Sequence, residues 1–236
     1  MGVAARRQRE KEERRAAILE AAEKVFAGKG VALATMDDIA HEAELSKGTL
    51  YLYFDSKDEL FLEIAVRAVR EVLDRILAAQ AAGGTGFARL ARALRAYARF
   101  GLEQPDRFQV AVGWMITESG GTLQSERFAE YKRLVADFCR QVAAVVDAGK
   151  VDGTIRTELD TATLVAQLWG AMLGVIQLQL NAPAISSRLP PEMQVGDIVT
   201  PGLDLLLSSV GTGAVSGLGD DEAPLASSAL PTPEVA

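Results

Sequence analysis

Within residues 45–54, LSKGTLYLYF, a lysine, a glycine, a threonine and two tyrosines crowd into one short helical stretch. On a helical wheel Leu50 and Phe54 are four apart and share a face, which can pack on Ile39 and on the stripe of a preceding helix. Gly48, Thr49, Leu52 and Tyr53 fall on a different face, with Lys47 and Tyr51 at its borders. That outward face combines groups that recognise a nucleic-acid duplex. A lysine can donate to guanine O6 or N7, and threonine or leucine can touch a thymine methyl. Tyrosine hydroxyls and helix N-terminal amides can hold phosphate. Gly48, having no side chain, lets backbone approach backbone. Spacing alone equally admits Tyr51 and Tyr53 as half-buried packing residues.

Such a helix needs elements that hold it in place. Ile18, Leu19, Ala22, Val25 and Phe26 form one apolar stripe on a helix over about residues 11–27, and Gly28 and Gly30 supply its stop. Thr35 and Asp38 have capping-box spacing and open a short helix over 36–43, with Met36, Ile39, Ala40 and Ala43 on one side. Ser46 caps the next helix, over 47–54, and Ser56 with Glu59 forms a second capping box that starts a long helix reaching about Gln80. Residues 36–54 therefore read as helix, three-residue turn, helix.

Beyond residue 80 the pattern predicts helices over about 87–102, 106–118, 123–149, 161–180 and 201–210, the last capped by Thr200 ahead of Pro201. Loops are expected at 82–86, 147–154 and 181–191. The glycines of 82–86 follow no strand and precede no GK[ST], so they read as a linker, not a phosphate cradle. No strand is predicted, so the class is all-α. The apolar run 164–180 is broken by Gln167, Gln177 and Gln179 and reads as a buried helix, not a membrane span. From residue 211 the composition turns to Gly, Ser, Ala, Pro and acids, which predicts a disordered tail.

The 236 residues carry a formal charge of −7, which argues against wholesale coating of nucleic acid. The charge is segregated. Residues 1–15 hold six bases against three acids, whereas residues 16–60 hold four bases against nine acids. The basic arm alone could equally be a solvated, partly disordered tail. The N-terminus is charged and has no apolar core of a signal peptide. One cysteine, Cys139, fits a reducing cytoplasm, and one histidine, His41, disfavours a His-based metal cluster or catalytic triad. An enzyme would have to use Asp147, Asp152, Glu158 and Asp160, which cluster where carboxylates cap helices.

Residues 35–60, TMDDIAHEAELSKGTLYLYFDSKDEL, resemble the DNA-binding region of the TetR family of transcriptional regulators. The resemblance rests on the Thr-capped helix, the Ser-Lys-Gly-Thr-Leu-Tyr run, Phe54 and the Ser-Lys-Asp-Glu-Leu run, and spans roughly residues 11–64. The rest of the chain is similar only in its helical plan. Glu44 departs from the pattern, because such turns commonly carry glycine.

The resemblance implies a basic N-terminal arm (1–15), a three-helix helix-turn-helix domain (11–60), and a helical effector-binding and dimerisation domain (61–210) reached through the long fourth helix, followed by the tail (211–236). Carried onto this sequence, it implies that Lys47, Gly48, Thr49, Tyr51 and Leu52 meet base edges or nearby backbone. Thr35, Tyr53 and Lys57 would hold phosphates, with Arg6, Arg7 and Arg9 adding minor-groove or phosphate contacts. It implies a homodimer on a palindromic double-stranded operator, a small apolar or amphipathic effector, repression as the default outcome, no cofactor and no membrane. Bulky groups in the second half, Phe108, Trp114, Met115, Phe128, Phe138, Trp169 and Met172, read first as core; with Arg99, Gln109, Gln167 and Gln177 interspersed they become candidates to line an effector pocket. From these, Arg99, Phe108, Trp114, Met115, Phe138, Trp169 and Gln177 are the expected pocket residues. Gly170 and Gly174, four apart, with Leu203, Leu206 and Leu207, are expected at a four-helix dimer face, although burial within one subunit fits the spacing nearly as well. The readings of a different class are an all-helical protein scaffold and an enzyme with an unrecognised site.

Overall fold

The computed structural model describes residues 3–116, 126–190, 192 and 196–213. Among them the regular structure is helical, apart from one isolated bridge between Ile155 and Gly211. The chain forms two compact units, Met1–Glu71 with Gln104–Ala136, and Val72–Glu103 with Asp137–Ala236.

The first unit contains α1 (Val3–Lys29), α2 (Met36–Glu42), α3 (Lys47–Tyr51), α6 (Pro105–Ile116), the start of α4 (Lys57–Gln80) and the start of α7 (Glu126–Val151). The expected stripe of α1 is in its core: Ile18, Leu19, Ala22 and Phe26 pack in one cluster with Ile39, Leu50, Phe54, Leu60 and Ile64. Phe26 meets Phe61 edge to face at 5.6 Å, and the Arg15 guanidinium lies 4.7 Å over the Phe54 ring. Two charged clusters tie α1 to its neighbours. Arg107 of α6 grips Glu23 of α1 with two bonds, 2.9 and 3.1 Å, and reaches Glu71 of α4 at 3.0 Å. Glu63 of α4, only 5% exposed, faces Arg127 at 2.8 Å, Arg15 at 3.1 Å and Arg67 at 3.7 Å. Because α6 and the start of α7 dock here, this unit is larger than the 11–60 segment expected from the motif.

The second unit contains α5 (Gly86–Glu103), α8 (Thr161–Leu180), α9 (Ala182–Ser186) and α10 (Val199–Val210), with the remainders of α4 and α7. The start of α5 sits so close to the end of α7 that a Cβ on Gly86 would lie 2.1 Å from the Gly149 nitrogen. Asp152 secures that approach by accepting from the Gly86 amide at 2.7 Å and the Thr154 hydroxyl at 2.5 Å. The bridge at Ile155 and Gly211 fastens the end of α10 to the α7–α8 turn, with the Arg156 amide donating to the Val210 carbonyl at 3.0 Å.

Several boundaries differ from expectation: the helix expected over 47–54 ends at Tyr51, and α7 runs on to Val151, into the loop expected at 147–154. The first helix begins at Val3, not near residue 11, so the basic arm is its helical extension; exposed pairs such as Arg6–Glu10 at 2.8 Å support it. Residues 182–186, read as loop, form the single turn of α9, where Pro183 sits in the first turn and needs no hydrogen-bonded amide. The last helix starts at Val199, with Asp197 accepting from the Val199 amide at 3.0 Å, so Thr200 is inside the helix and not its cap. The expected tail lies outside the described residues from 214 onward, as do 117–125 between α6 and α7.

Candidate functional site

The helix-turn-helix is built by caps that the sequence specifies locally. The Thr35 hydroxyl accepts from the Asp38 amide at 3.1 Å while the Asp38 carboxylate accepts from the Thr35 amide at 3.1 Å, a reciprocal capping box. Lys29 adds a 2.6 Å ion pair to Asp38. Hydrogen bonds from Lys29 and Thr35 hold this carboxyl down at about 2, well below the usual carboxylate range. Ser46 caps α3 by accepting from the Thr49 amide at 3.1 Å. Between the two helices Glu44 adopts φ 54°, the left-handed conformation that glycine takes without strain. Ser56 accepts from the Glu59 amide at 3.1 Å, but Glu59 reaches one residue further back, to the Asp55 amide at 2.7 Å.

These caps set the orientation of α3. Leu50 is 0% exposed and Phe54 is buried beneath it, whereas Leu52 is 80% exposed. Lys47, Gly48 and Tyr51 are exposed beside it, Thr49 and Tyr53 half-buried. Nothing lies within 4 Å of a Cβ built on Gly48 except the Ser46 hydroxyl, so its outer side is open. Lys47 is not a free cation: its Nζ lies 2.9 Å from the Asp37 carboxylate at the start of α2. The hydrogen bond and charge of Asp37 raise the lysine above its ordinary range. Tyr53 packs against the core of the unit, so the packing reading holds in part for it, less so for Tyr51.

Two expected phosphate ligands are otherwise engaged. Lys57 directs its ammonium at the carbonyls of Val31, Ala32 and Ala34, at 2.7, 3.3 and 2.9 Å, and thereby fastens the α1–α2 loop. Three acceptors match its three protons. Thr35 aims both its hydroxyl and its amide at Asp38. Both residues support the reading helix from behind. Arg6 and Arg7 stand on the exposed start of α1. Because the start of α1 is helical, these arginines do not sit on the extended arm expected for them.

In the second unit an apolar cavity with room for little more than a water molecule lies among Ile76, Ala93, Leu94, Tyr97, Phe138, Val142, Val165, Leu168, Trp169 and Met172. Of the expected pocket residues it gathers Phe138 and Trp169. Arg99 and Gln177 are half-buried outside its lining, and Phe108 is buried in the first unit. The side chains of Trp114 and Met115 lie outside the described set. The sequence reading missed Tyr97. Its signal was present: Leu90, Leu94 and Tyr97 follow one another at i, i+4 and i+7 on the buried stripe of α5. Burial pushes the Tyr97 phenol up to about 12, and a hydrogen bond with Trp169 partly offsets that.

Helix α8 is not the buried helix its composition suggests. It is long and apolar enough to span a membrane, yet only 22% of its most apolar stretch is buried. Gly170 and Gly174 face outward with open space at each Cβ position, and Leu178 continues their line. On α10 the inner residues are Leu203 and Leu207, 1% and 0% exposed. They face their own subunit, which removes them from the expected dimer face; the outward leucine is Leu205, 70% exposed, with Leu206 half-buried. Of the acids an enzyme would need, Asp160 caps α8 by accepting from the Thr163 amide at 2.9 Å, and Asp147 accepts from the Thr161 hydroxyl at 2.5 Å. Among the described residues no group of three His, Cys, Asp or Glu could hold a metal ion.

Residues 18–64 match the model of the bacterial regulatory proteins, tetR family. Over that stretch the chain is similar to the tetR family. It is 44% identical over 66 residues to the uncharacterised HTH-type transcriptional regulator YfiR of Bacillus subtilis, which is 28% of this chain and 32% of that one. It is 29% identical over 147 residues to the HTH-type transcriptional repressor KstR2 of Rhodococcus jostii, 62% of this chain and 70% of that one. The match thus spans about a third of the one relative and more than two thirds of the other. Among solved structures, the ketosteroid transcriptional regulator KstR2 of Mycobacterium tuberculosis superposes with a TM-score of 0.66 at 19% identity, covering 85% of this chain and 96% of that chain, a likeness of fold. The matched stretch runs from the α1 stripe through α3 into α4, and contains Lys47, Asp37 and Glu63 alike.

Proposed function

We propose that this chain is a transcriptional repressor that grips a palindromic operator as a homodimer and releases it when a small apolar or amphipathic molecule enters the helical second unit. The observation that carries this reading is the outward face of α3, where Lys47, Gly48, Tyr51 and Leu52 are exposed around a buried Leu50. Lys47, Thr49, Tyr51 and Leu52 meet base edges, and Gly48 lets the helix approach the backbone. The Tyr53 hydroxyl and the arginines at the start of α1 add phosphate contacts. The two copies of α3 enter successive major grooves about 34–36 Å apart.

The outward line Gly170, Gly174 and Leu178 on α8, with Leu205 and Leu206 on α10, forms the dimer face. Covering it removes from water the apolar surface that a lone subunit leaves exposed. Helix α4, 24 residues and about 36 Å long, carries residues of both units in one continuous element. A ligand with a preference for one arrangement shifts the population away from the operator-competent spacing.

Binding of Lys47→Ala to a fluorescent operator duplex tests the reading. The account expects at least about a tenfold loss against wild type, the worth of one good base contact. A helical scaffold would show no duplex binding to lose, and wild-type-like affinity of the variant would remove Lys47 from the interface.

A further inference from the structure

Resting on the effector-released reading above, the lining of the α5–α7–α8 cavity narrows the class of molecule it takes. We propose that this cavity admits an uncharged, largely apolar ligand bearing a single carbonyl or hydroxyl oxygen, which the Tyr97 and Trp169 polar groups bind.

Three observations carry this. First, none of the ten side chains around the cavity is ionisable near neutral pH as a cation or a carboxylate. An anionic ligand would lose its water and find no counter-charge, and an unpaired buried charge is among the costliest things a protein can hold. Second, the lining has only two conventional polar side-chain groups, the Tyr97 hydroxyl and the Trp169 indole N–H, and they are bonded to each other. The indole can only donate, so the phenol oxygen accepts from it. A ligand oxygen entering here accepts from the phenol O–H, a donor that the indole-to-phenol bond does not use, or from the indole N–H. Burial holds Tyr97 neutral across the physiological range, so it offers a dipole and not a charge. Third, the remaining wall is deformable and flat-faced. Phe138 tilts toward Tyr97 at 6.1 Å between ring centres, and Met172 supplies an unbranched, adaptable chain. The space now present is about that of one water, so the ligand enters by displacing these side chains.

The test uses full-length protein and three probes of one shape: naphthalene, 2-acetylnaphthalene and 2-naphthoate, titrated at pH 7 by isothermal titration calorimetry. The ketone is expected to bind at least tenfold more tightly than the carboxylate. Tyr97→Phe and Trp169→Phe, which keep an aromatic ring and remove one polar group each, are expected to erase most of the ketone's advantage over naphthalene while leaving naphthalene binding within a few-fold. Unchanged thermal melting establishes that a variant is folded, and either variant suffices. Equal or tighter binding of the carboxylate overturns the proposal, as does an unchanged ketone-to-naphthalene ratio in the folded variants or binding of none of the three. The same probes are added to the operator complex. Ketone binding without operator release contradicts the effector-released reading but leaves the ligand class standing; release by the carboxylate alone does the reverse.

Discussion

The Nζ of Lys47 lies 2.9 Å from the Asp37 carboxylate, joining the first turn of α3 to the first turn of α2 across the helix-turn-helix. Both groups are solvent-exposed, so the pair adds little to stability. Its consequence is for recognition. Asp37 holds the lysine over the start of the reading helix and places a negative charge where a phosphate would otherwise draw it. Asp37→Asn is expected to strengthen binding to arbitrary duplexes several-fold and to lower the ratio of operator to non-operator affinity. Competition binding at two salt concentrations measures both; an unchanged ratio means Asp37 has no part in specificity.

Glu44 sits at φ 54° in the turn before α3, a conformation that costs a residue with a side chain about 1–2 kcal/mol. Glu44→Gly is expected to stabilise the protein by about 1 kcal/mol, and Glu44→Ala to leave it nearly unchanged. Urea unfolding reads the difference. A Gly variant less stable than the Ala variant would mean that the glutamate side chain contributes something its geometry does not reveal.

Glu63 is a buried carboxylate facing three guanidiniums. Glu63→Gln keeps its shape and one acceptor oxygen but removes its charge, so Arg15, Arg67 and Arg127 lose their shared counter-charge, while Arg127 keeps Glu130. The expected loss is about 2 kcal/mol, at the lower end for a buried charged pair because the arginines remain partly hydrated. A variant as stable as wild type would show that the arginines find water at no cost.

Asp38 supplies a pH signature. Its folded-state carboxyl titrates at about 2, below the ordinary value of 3.8, so its contribution is complete above about pH 4 and disappears as pH falls through 2. Asp38→Asn lacks that contribution at every pH. The melting temperatures of wild type and variant should therefore differ at pH 7 and converge as pH drops from 4 to 2. A constant gap contradicts the sign.

Gly174 and Leu178 lie on the exposed face of α8. Gly174→Arg or Leu178→Glu is expected to shift the sedimentation mass from dimer toward monomer and to weaken operator binding in parallel. A variant that stays dimeric moves the interface elsewhere.

The reading head was legible because its rules are local. Thr35 and Asp38, then Ser46 and Thr49, are capping partners three apart, and Leu50 with Phe54 is an i, i+4 pair, so the sequence alone orients α3. The hold of Lys57 on the α1–α2 loop was not legible because its acceptors, the carbonyls of residues 31, 32 and 34, are more than twenty positions away. The ion pairs of Glu23 and Glu63 were invisible for the same reason; Arg107 and Glu23 are separated by 84 residues. On α10, Leu203, Leu205, Leu206 and Leu207 are equally apolar, and only packing decides that 203 and 207 turn inward. The glycines of α8, four apart, share one side of the helix, and that side is exposed, which their spacing left open because burial within one subunit fitted it nearly as well.

The central claim is that the outer face of α3 reads base pairs, twice per dimer. Selection of bound duplexes from a randomised pool at moderate salt tests it most directly. The account predicts an inverted repeat whose half-site centres lie about 10 base pairs apart, with Lys47→Ala relaxing the preference at one symmetric pair of positions. Recovery of no motif, or of one whose base preferences are unchanged by Lys47→Ala and Leu52→Ala together, would contradict it.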